Sequence, residues 1–228
     1  MAMGIVSYWG QKGAFTPYQI DREQNNVFFF DPMYGTDLGA VDTALTSGSA
    51  VIDSNQTYDG ARLKVTAGAA TAAQGMNVQW RHYAHTPDAS KKIYFRAKLR
   101  FTGSVTAEFF CGLAPKDSTL IASSALSNKA IGFAQLGDDG NIDCLTSNAT
   151  DGSAITETLA FAAALDTEYD LQFLATTSKV RYWVNGIEKP AITTNIPTSA
   201  LTPTLVLQGA GSGTPLVWLE CMYAQRER

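Results

Sequence analysis

Charge is scarce in this 228-residue chain. Asp, Glu, Lys and Arg together make up 17% of it, against about a quarter in an ordinary soluble domain. The balance is −4, and the cations do not cluster; Arg96, Lys98 and Arg100 are one side of a single strand-like segment. A nucleic-acid surface, which needs grouped Lys and Arg, is therefore excluded. Cysteine is scarce as well. Cys111, Cys144 and Cys221 are an odd number without Cys-x-x-Cys spacing, so no disulfide framework is expected and a reducing site of folding is the simpler assumption. No apolar run is long enough to span a bilayer. The start, Met-Ala-Met-Gly-Ile-Val, lacks a basic region followed by an apolar run, so no secretion leader is expected.

Alternation is abundant. Tyr169, Leu171, Phe173 and Ala175 fall on one face of an extended chain, and Val180, Tyr182 and Val184 repeat the pattern after Thr176-Thr177-Ser178. Asn185-Gly186 supplies the positive φ values of a tight turn, and Ile187 starts the return. The segment reads as a three-stranded meander, half-buried on one side. Ile93, Phe95, Ala97, Leu99 and Phe101 alternate with Tyr94, Arg96, Lys98 and Arg100 in the same way. Gly103-Ser104 then turns the chain into Val105 to Ala114, which the short connection makes its antiparallel neighbour. Ala130–Leu136 and Asn141–Thr146 form a hairpin over Gly137-Asp138-Asp139-Gly140. Further strands are read at Val27–Asp31, Ala50–Asp53, Ala61–Thr66, Met76–Trp80, Ile155–Phe161, Thr204–Gln208 and Leu216–Tyr223, while 115–128 reads as a polar excursion with room for one helical turn. A dozen short strands with Gly and Asn turns and no convincing helix predict an all-β antiparallel sandwich or barrel.

Nothing divides the run after about residue 26, so 26–228 is expected to be one domain. Residues 1–25 differ. Gly4, Gly10, Gly13 and Pro17 break regular structure, yet Tyr8, Trp9, Phe15 and Tyr18 are too many rings for a free tail. Two readings stay open: an extended arm that folds back on its own domain, or one that docks on a neighbouring subunit through these aromatic anchors.

Several segments together resemble the concanavalin A-like jelly rolls, the sandwich of lectins and glucanases. These are the strand ending at Phe101, Glu108-Phe109-Phe110-Cys111-Gly112-Leu113-Ala114, Ala130-Ile131-Gly132-Phe133, the Asp-Asp-Gly hairpin, Tyr169-Asp170-Leu171 and Val180-Arg181-Tyr182-Trp183-Val184-Asn185-Gly186. The resemblance covers about residues 26–224 and implies the jelly-roll β-sandwich. Within that fold the chain is most similar to structural proteins of tailed bacteriophages, of the capsid decoration (cement) or fibre-like kind. That implies a non-enzymatic virion structural protein made in the host cytoplasm. It would bind the major capsid protein, or another virion protein, and copies of itself, with a homotrimer the expected state. The alternative is a carbohydrate-binding, lectin-like module of a fibre or receptor-binding protein.

The candidate chemistry points the same way. Glucanases of the fold carry a Glu-x-Asp-x-x-Glu kind of strand, with two carboxylates aimed into one cleft. Here Glu108 shares its face with Phe110 and Gly112, so it reads as a solvent-facing or ion-paired residue and no catalytic residue is expected. Asp138-Asp139-Gly140-Asn141 with Asp143 could offer oxygens to Ca²⁺, but the spacing is that of a hairpin turn, and no metal or cofactor is expected. His82 and His85 read as surface residues; Asp88 is the one nearby carboxylate, too few for zinc. Gly209-Ala210-Gly211-Ser212-Gly213 is a loop between strands, not a phosphate cradle. Trp80, Trp183 and Trp218 could form a sugar-stacking platform. Trp183, opposite in parity to Val180, Tyr182 and Val184, is the one expected to be an exposed ring and a contact for a subunit or glycan.

Overall fold

The computed structural model describes residues 27–30, 42–46, 48–53, 62–67, 75–80, 84–117, 119–122, 124–137, 139–149, 155–209 and 214–227. The arm at 1–25, with Tyr8, Trp9, Phe15 and Tyr18, lies outside them, as do His82 and Asp138. Among the described residues every regular element is a strand. In chain order these are β1 (Val27–Phe30), β2 (Asp42–Thr46), β3 (Ser49–Asp53), β4 (Arg62–Thr66), β5 (Gly75–Gln79), β6 (Ile93–Thr102) and β7 (Ala107–Ala114), then β8 (Ile121–Ala122), β9 (Ala125–Leu126), β10 (Ala130–Gln135), β11 (Asn141–Ser147) and β12 (Ile155–Ala162), and finally β13 (Glu168–Ala175), β14 (Val180–Val184), β15 (Ile187–Ile192), β16 (Thr202–Gly209) and β17 (Leu216–Arg226).

Two antiparallel sheets face each other. One runs β15-β14-β13-β6-β17-β4-β3, with β1 also on β17; the other runs β12-β11-β10-β7-β16-β5-β2. β17 serves two neighbours on one flank: Leu216–Leu219 pair with β4, and Met222–Gln225 pair with β1. The register shift between Leu219 and Cys221 lies where the pairing changes over. β6 buries Ile93, Phe95, Ala97, Leu99 and Phe101 and leaves the residues between them half-buried, as its period-two pattern requires. Phe95 stacks on its cross-strand partner Phe173 at 4.8 Å, and Phe133 meets Tyr182 edge-on from the other sheet at 5.4 Å. Each such ring stabilises the sandwich by about 1.5–3 kcal/mol through burial.

The meander is present as β13-β14-β15, with Asn185 (φ 51°) and Gly186 (φ 78°) making the turn. β10 and β11 pair as the predicted hairpin. Two expectations need correction. β6 and β7 are not neighbours; Gly103 (φ 83°) and the residues after it carry the chain from one sheet to the other. The stretch 115–128 is no polar excursion. It forms the small hairpin β8–β9 and buries Leu120, Ile121 and Leu126.

β15 is an edge strand. It carries Glu188, Lys189 and Pro190 and exposes Ile187.

Candidate active site

The outer face of the seven-stranded sheet can be read from its register. On β11, Ile142 and Cys144 enter the main core, so Asp143 and Leu145 point outward. On β12, Leu159 sits opposite Asp143 and Glu157 sits opposite Leu145. Asp143 and Glu157 are therefore diagonal neighbours on one face, a relation that sets Cα positions about 7–8 Å apart. Glu157 and Leu159 are open to solvent and Asp143 is half-buried.

The charges around this pair act in sequence. Asn141 donates its backbone N–H to Asp139 Oδ1 (2.9 Å) and its side-chain Nδ2 to Asp139 Oδ2 (2.8 Å). These bonds hold the Asp139 carboxyl below the usual carboxylate range. Asp143 is pushed up, first by burial and then by the negative charge of Asp139. Glu157, exposed as a residue, is pushed up in turn, first by the partial burial of its carboxyl and then by Asp143. A carboxyl raised in this way keeps its proton to higher pH than a free one, the requirement for a general acid.

The neighbouring strands are closed over. Phe110, Ala114, Ala130, Ala134, Leu145 and Val206 form a second apolar cluster beneath Leu120, Ile121 and Leu126 of the β8–β9 segment. Polar side chains of the sheet tie that segment down. Asn77 Nδ2 donates to Asp117 O (2.5 Å), Gln79 Nε2 to Pro115 O (3.0 Å), and Asp117 N–H to Gln79 Oε1 (2.9 Å). Gln208 Nε2 donates to Ile121 O (3.2 Å), and Ser124 Oγ donates to Glu108 Oε1 (2.7 Å). The floor is low because Gly112 and Gly132 pair at its centre. A Cβ on Gly112 would stand 2.6 Å from the Gly132 Cα.

Other residues singled out in the sequence have different fates. Glu108 is not solvent-facing, and among the described residues it has no ion-pair partner; it is 1% exposed beneath the hairpin and serves as its anchor. His85 is no surface residue but fully buried, with neither ring nitrogen hydrogen-bonded among the described residues. Burial, and secondly Arg226, push its pKa down to about 4. Trp183 does point outward, on the eight-stranded sheet, but it is half-buried with the Arg181 guanidinium 5.0 Å from its ring. Arg181 is itself held by both Glu188 oxygens, at 2.8 and 3.0 Å. Trp80 packs on Phe30, and Trp218 donates Nε1–H to Thr102 Oγ1, so the three tryptophans do not form a platform. Among the described residues no group of three His, Cys, Asp or Glu is placed to hold a metal.

No protein-family model matches the sequence, and no curated protein matches it. Solved structures do. A β-glucanase from Bacillus licheniformis superposes with a TM-score of 0.60 at 14% identity, covering 89% of this chain and 99% of that one. A prokaryotic β-1,3-1,4-glucanase (lichenase) from a mouse hindgut metagenome gives 0.58 at 14% identity, covering 88% and 99%. The alginate lyase A1-II′, of polysaccharide lyase family 7, gives 0.56 at 11% identity, covering 85% and 98%. The chain has the concanavalin A-like jelly-roll fold. These matches overturn the expectation of a non-enzymatic capsid decoration protein: the glucanase, the lichenase and the alginate lyase, each sharing the sandwich over nearly its whole length, are carbohydrate-active enzymes. The jelly-roll and β-sandwich parts of the reading stand; the virion, cement and capsid parts do not.

The physical source of the error is visible. An acidic triplet along one strand is absent: β7, at the centre of the sheet, presents Glu108, Phe110, Gly112 and Ala114 outward, and Glu108 is covered. The carboxylates that do meet are 14 positions apart, on two strands. The signal was available in the pairing of Asn141–Thr146 with Ile155–Phe161, both read as strands, whose register sets Asp143 diagonal to Glu157.

Proposed function

We propose that this protein is a carbohydrate-active enzyme that hydrolyses a polysaccharide, with Glu157 as general acid and Asp143 as general base. The observation that carries the reading is the carboxylate pair on the open β11–β12 face, both members raised by burial and by a neighbouring charge. Diagonal neighbours on one sheet face are close enough for their carboxyls to flank a single glycosidic bond, and the inverting arrangement, with carboxyls about 6.5–9.5 Å apart, leaves room for a water between the base and the sugar. Glu157 gives its proton to the departing glycosidic oxygen as the bond to the anomeric carbon breaks. Asp143 takes a proton from the water whose oxygen attacks that carbon from the opposite side, so the configuration inverts. Solvent-exposed Leu159, opposite Asp143, offers an apolar surface to the sugar ring. The shared fold with glucanases and an alginate lyase supports a glycan substrate.

The test is release of reducing ends from barley mixed-linkage β-glucan and from sodium alginate, with D143N and E157Q as controls. Loss of at least about 100-fold in either variant, with the fold intact by circular dichroism, is expected for removal of an acid–base partner. No release from either polymer, or variants as active as wild type, refutes the assignment.

A further inference from the structure

The segment between β7 and β10 is an insertion in what would otherwise be a tight hairpin. Leu113 pairs with Ile131, so Ala114 and Ala130 stand side by side where the strands meet. Two residues could join them; instead the chain spends residues 115–129 there. This excursion is no loose loop. Five hydrogen bonds tie it to Asn77, Gln79, Gln208 and Glu108 of the sheet, and the apolar cluster beneath it is buried. Asp117 also orders its base, accepting from Thr119 N–H, Ser127 Oγ and Asn128 Nδ2. The cover reaches from β5 through β16, β7 and β10 to Leu145 on β11. Asp143, Glu157 and Leu159 lie at its border, and β12 beyond them is the last strand of the sheet.

A polymer lying across this sheet at right angles to the strands would have to pass through the hairpin. Among the described residues, the carboxylate pair is flanked by the cover on the β10 side and by the last strand of the sheet, β12, on the other. We infer that segment 115–129 is the specificity-determining element of the enzyme. It is a fixed wall that admits the end of a glycan chain to Asp143 and Glu157 and excludes the interior of a long polymer. The cleavage is then of the chain-end kind, releasing short sugars one after another. This rests on the catalytic reading of the Asp143–Glu157 pair.

The experiment follows viscosity and reducing ends together during digestion of barley mixed-linkage β-glucan and sodium alginate. Wild type is expected to release reducing ends while the viscosity stays nearly unchanged. A variant with Pro115–Lys129 replaced by Asn-Gly opens the floor over Gly112 and Gly132 and should lose viscosity several-fold faster for each bond cut. Because that variant exposes Phe110, Leu145 and Val206, the double substitution I121S/L126S is the second arm. It loosens the wall through the small cluster, leaves the main core untouched, and should move the ratio in the same direction. Early collapse of viscosity with wild type, or an unchanged ratio in both variants, overturns the wall. Absence of reducing ends altogether is a different failure: it removes the catalytic pair and this inference with it.

Discussion

His85 makes the stability of this fold pH-dependent in a calculable way. Its ring is fully enclosed, and burial together with Arg226 lowers its pKa from 6.5 to about 4. Arg226 is in turn held by Asp88, through Nη2 to Oδ2 at 3.4 Å. The folded state therefore binds a proton at His85 more weakly than the unfolded chain does. Stability associated with this residue is fully present above pH 6.5, begins to fall as the unfolded histidine protonates, and is lost by about pH 4. The whole window is worth about 3 kcal/mol at 1.36 kcal/mol per unit, of which about 2.5 kcal/mol is gone by pH 4.5. That is a large share of the 5–15 kcal/mol typical of a domain. Replacement by methionine removes the titrating group and the two unpartnered nitrogens together, so H85M should be nearly as stable as wild type at pH 7.5. Urea unfolding of both proteins from pH 7.5 to 4.5 measures the difference directly. The curves should diverge by about 2.5 kcal/mol at the acid end, with H85M the more stable. Parallel curves, or a His85 ring that titrates near pH 6.5 by NMR, would refute the argument.

Activity at the carboxylate pair should follow a bell-shaped pH curve, because it needs Glu157 protonated and Asp143 charged. Both limbs should lie at higher pH than unperturbed carboxyls would give, since both groups are raised. D139N removes a charge that raises Asp143, so the acid limb should move to lower pH in a kcat profile while the alkaline limb stays. G112A should cost about 3 kcal/mol in urea unfolding, since the new methyl meets the backbone of Ile131 and Gly132, which cannot give way within the sheet. Y182F loses the bond from the buried hydroxyl to Leu145 O (2.8 Å) and should cost about 1–2 kcal/mol, read as a lowered denaturant midpoint.

Much of the fold was legible because strand alternation and turn chemistry are local. β6, the β13-β14-β15 meander and the β10–β11 hairpin each announce themselves in runs of at most twenty-five residues. The pairing of sheets was not local. The short link Gly103-Ser104 looks like a hairpin turn, and only the competition of β17 and β13 for the edges of β6 sends β7 into the other sheet. The insertion between β7 and β10 was misread for a related reason. Its polar residues hydrogen-bond inward to the sheet and its few apolar ones, Leu120, Ile121 and Leu126, are too sparse to show a period. Glu108 followed it underground: a strand carboxylate next to two phenylalanines gives no sign that a serine sixteen residues later will cap it. His85 was hidden in the same manner, since its burial depends on the bridge it forms with Leu201, more than a hundred residues away.

At β15 the margin of the eight-stranded sheet ends in Glu188, Lys189 and Pro190. An incoming strand would find a missing amide at the proline and would have to strip water from two opposite charges to dock. Ribbon-like growth from this side is thereby blocked, even though Ile187 leaves an oily spot next to it. At high concentration the molecules should stay discrete along this border.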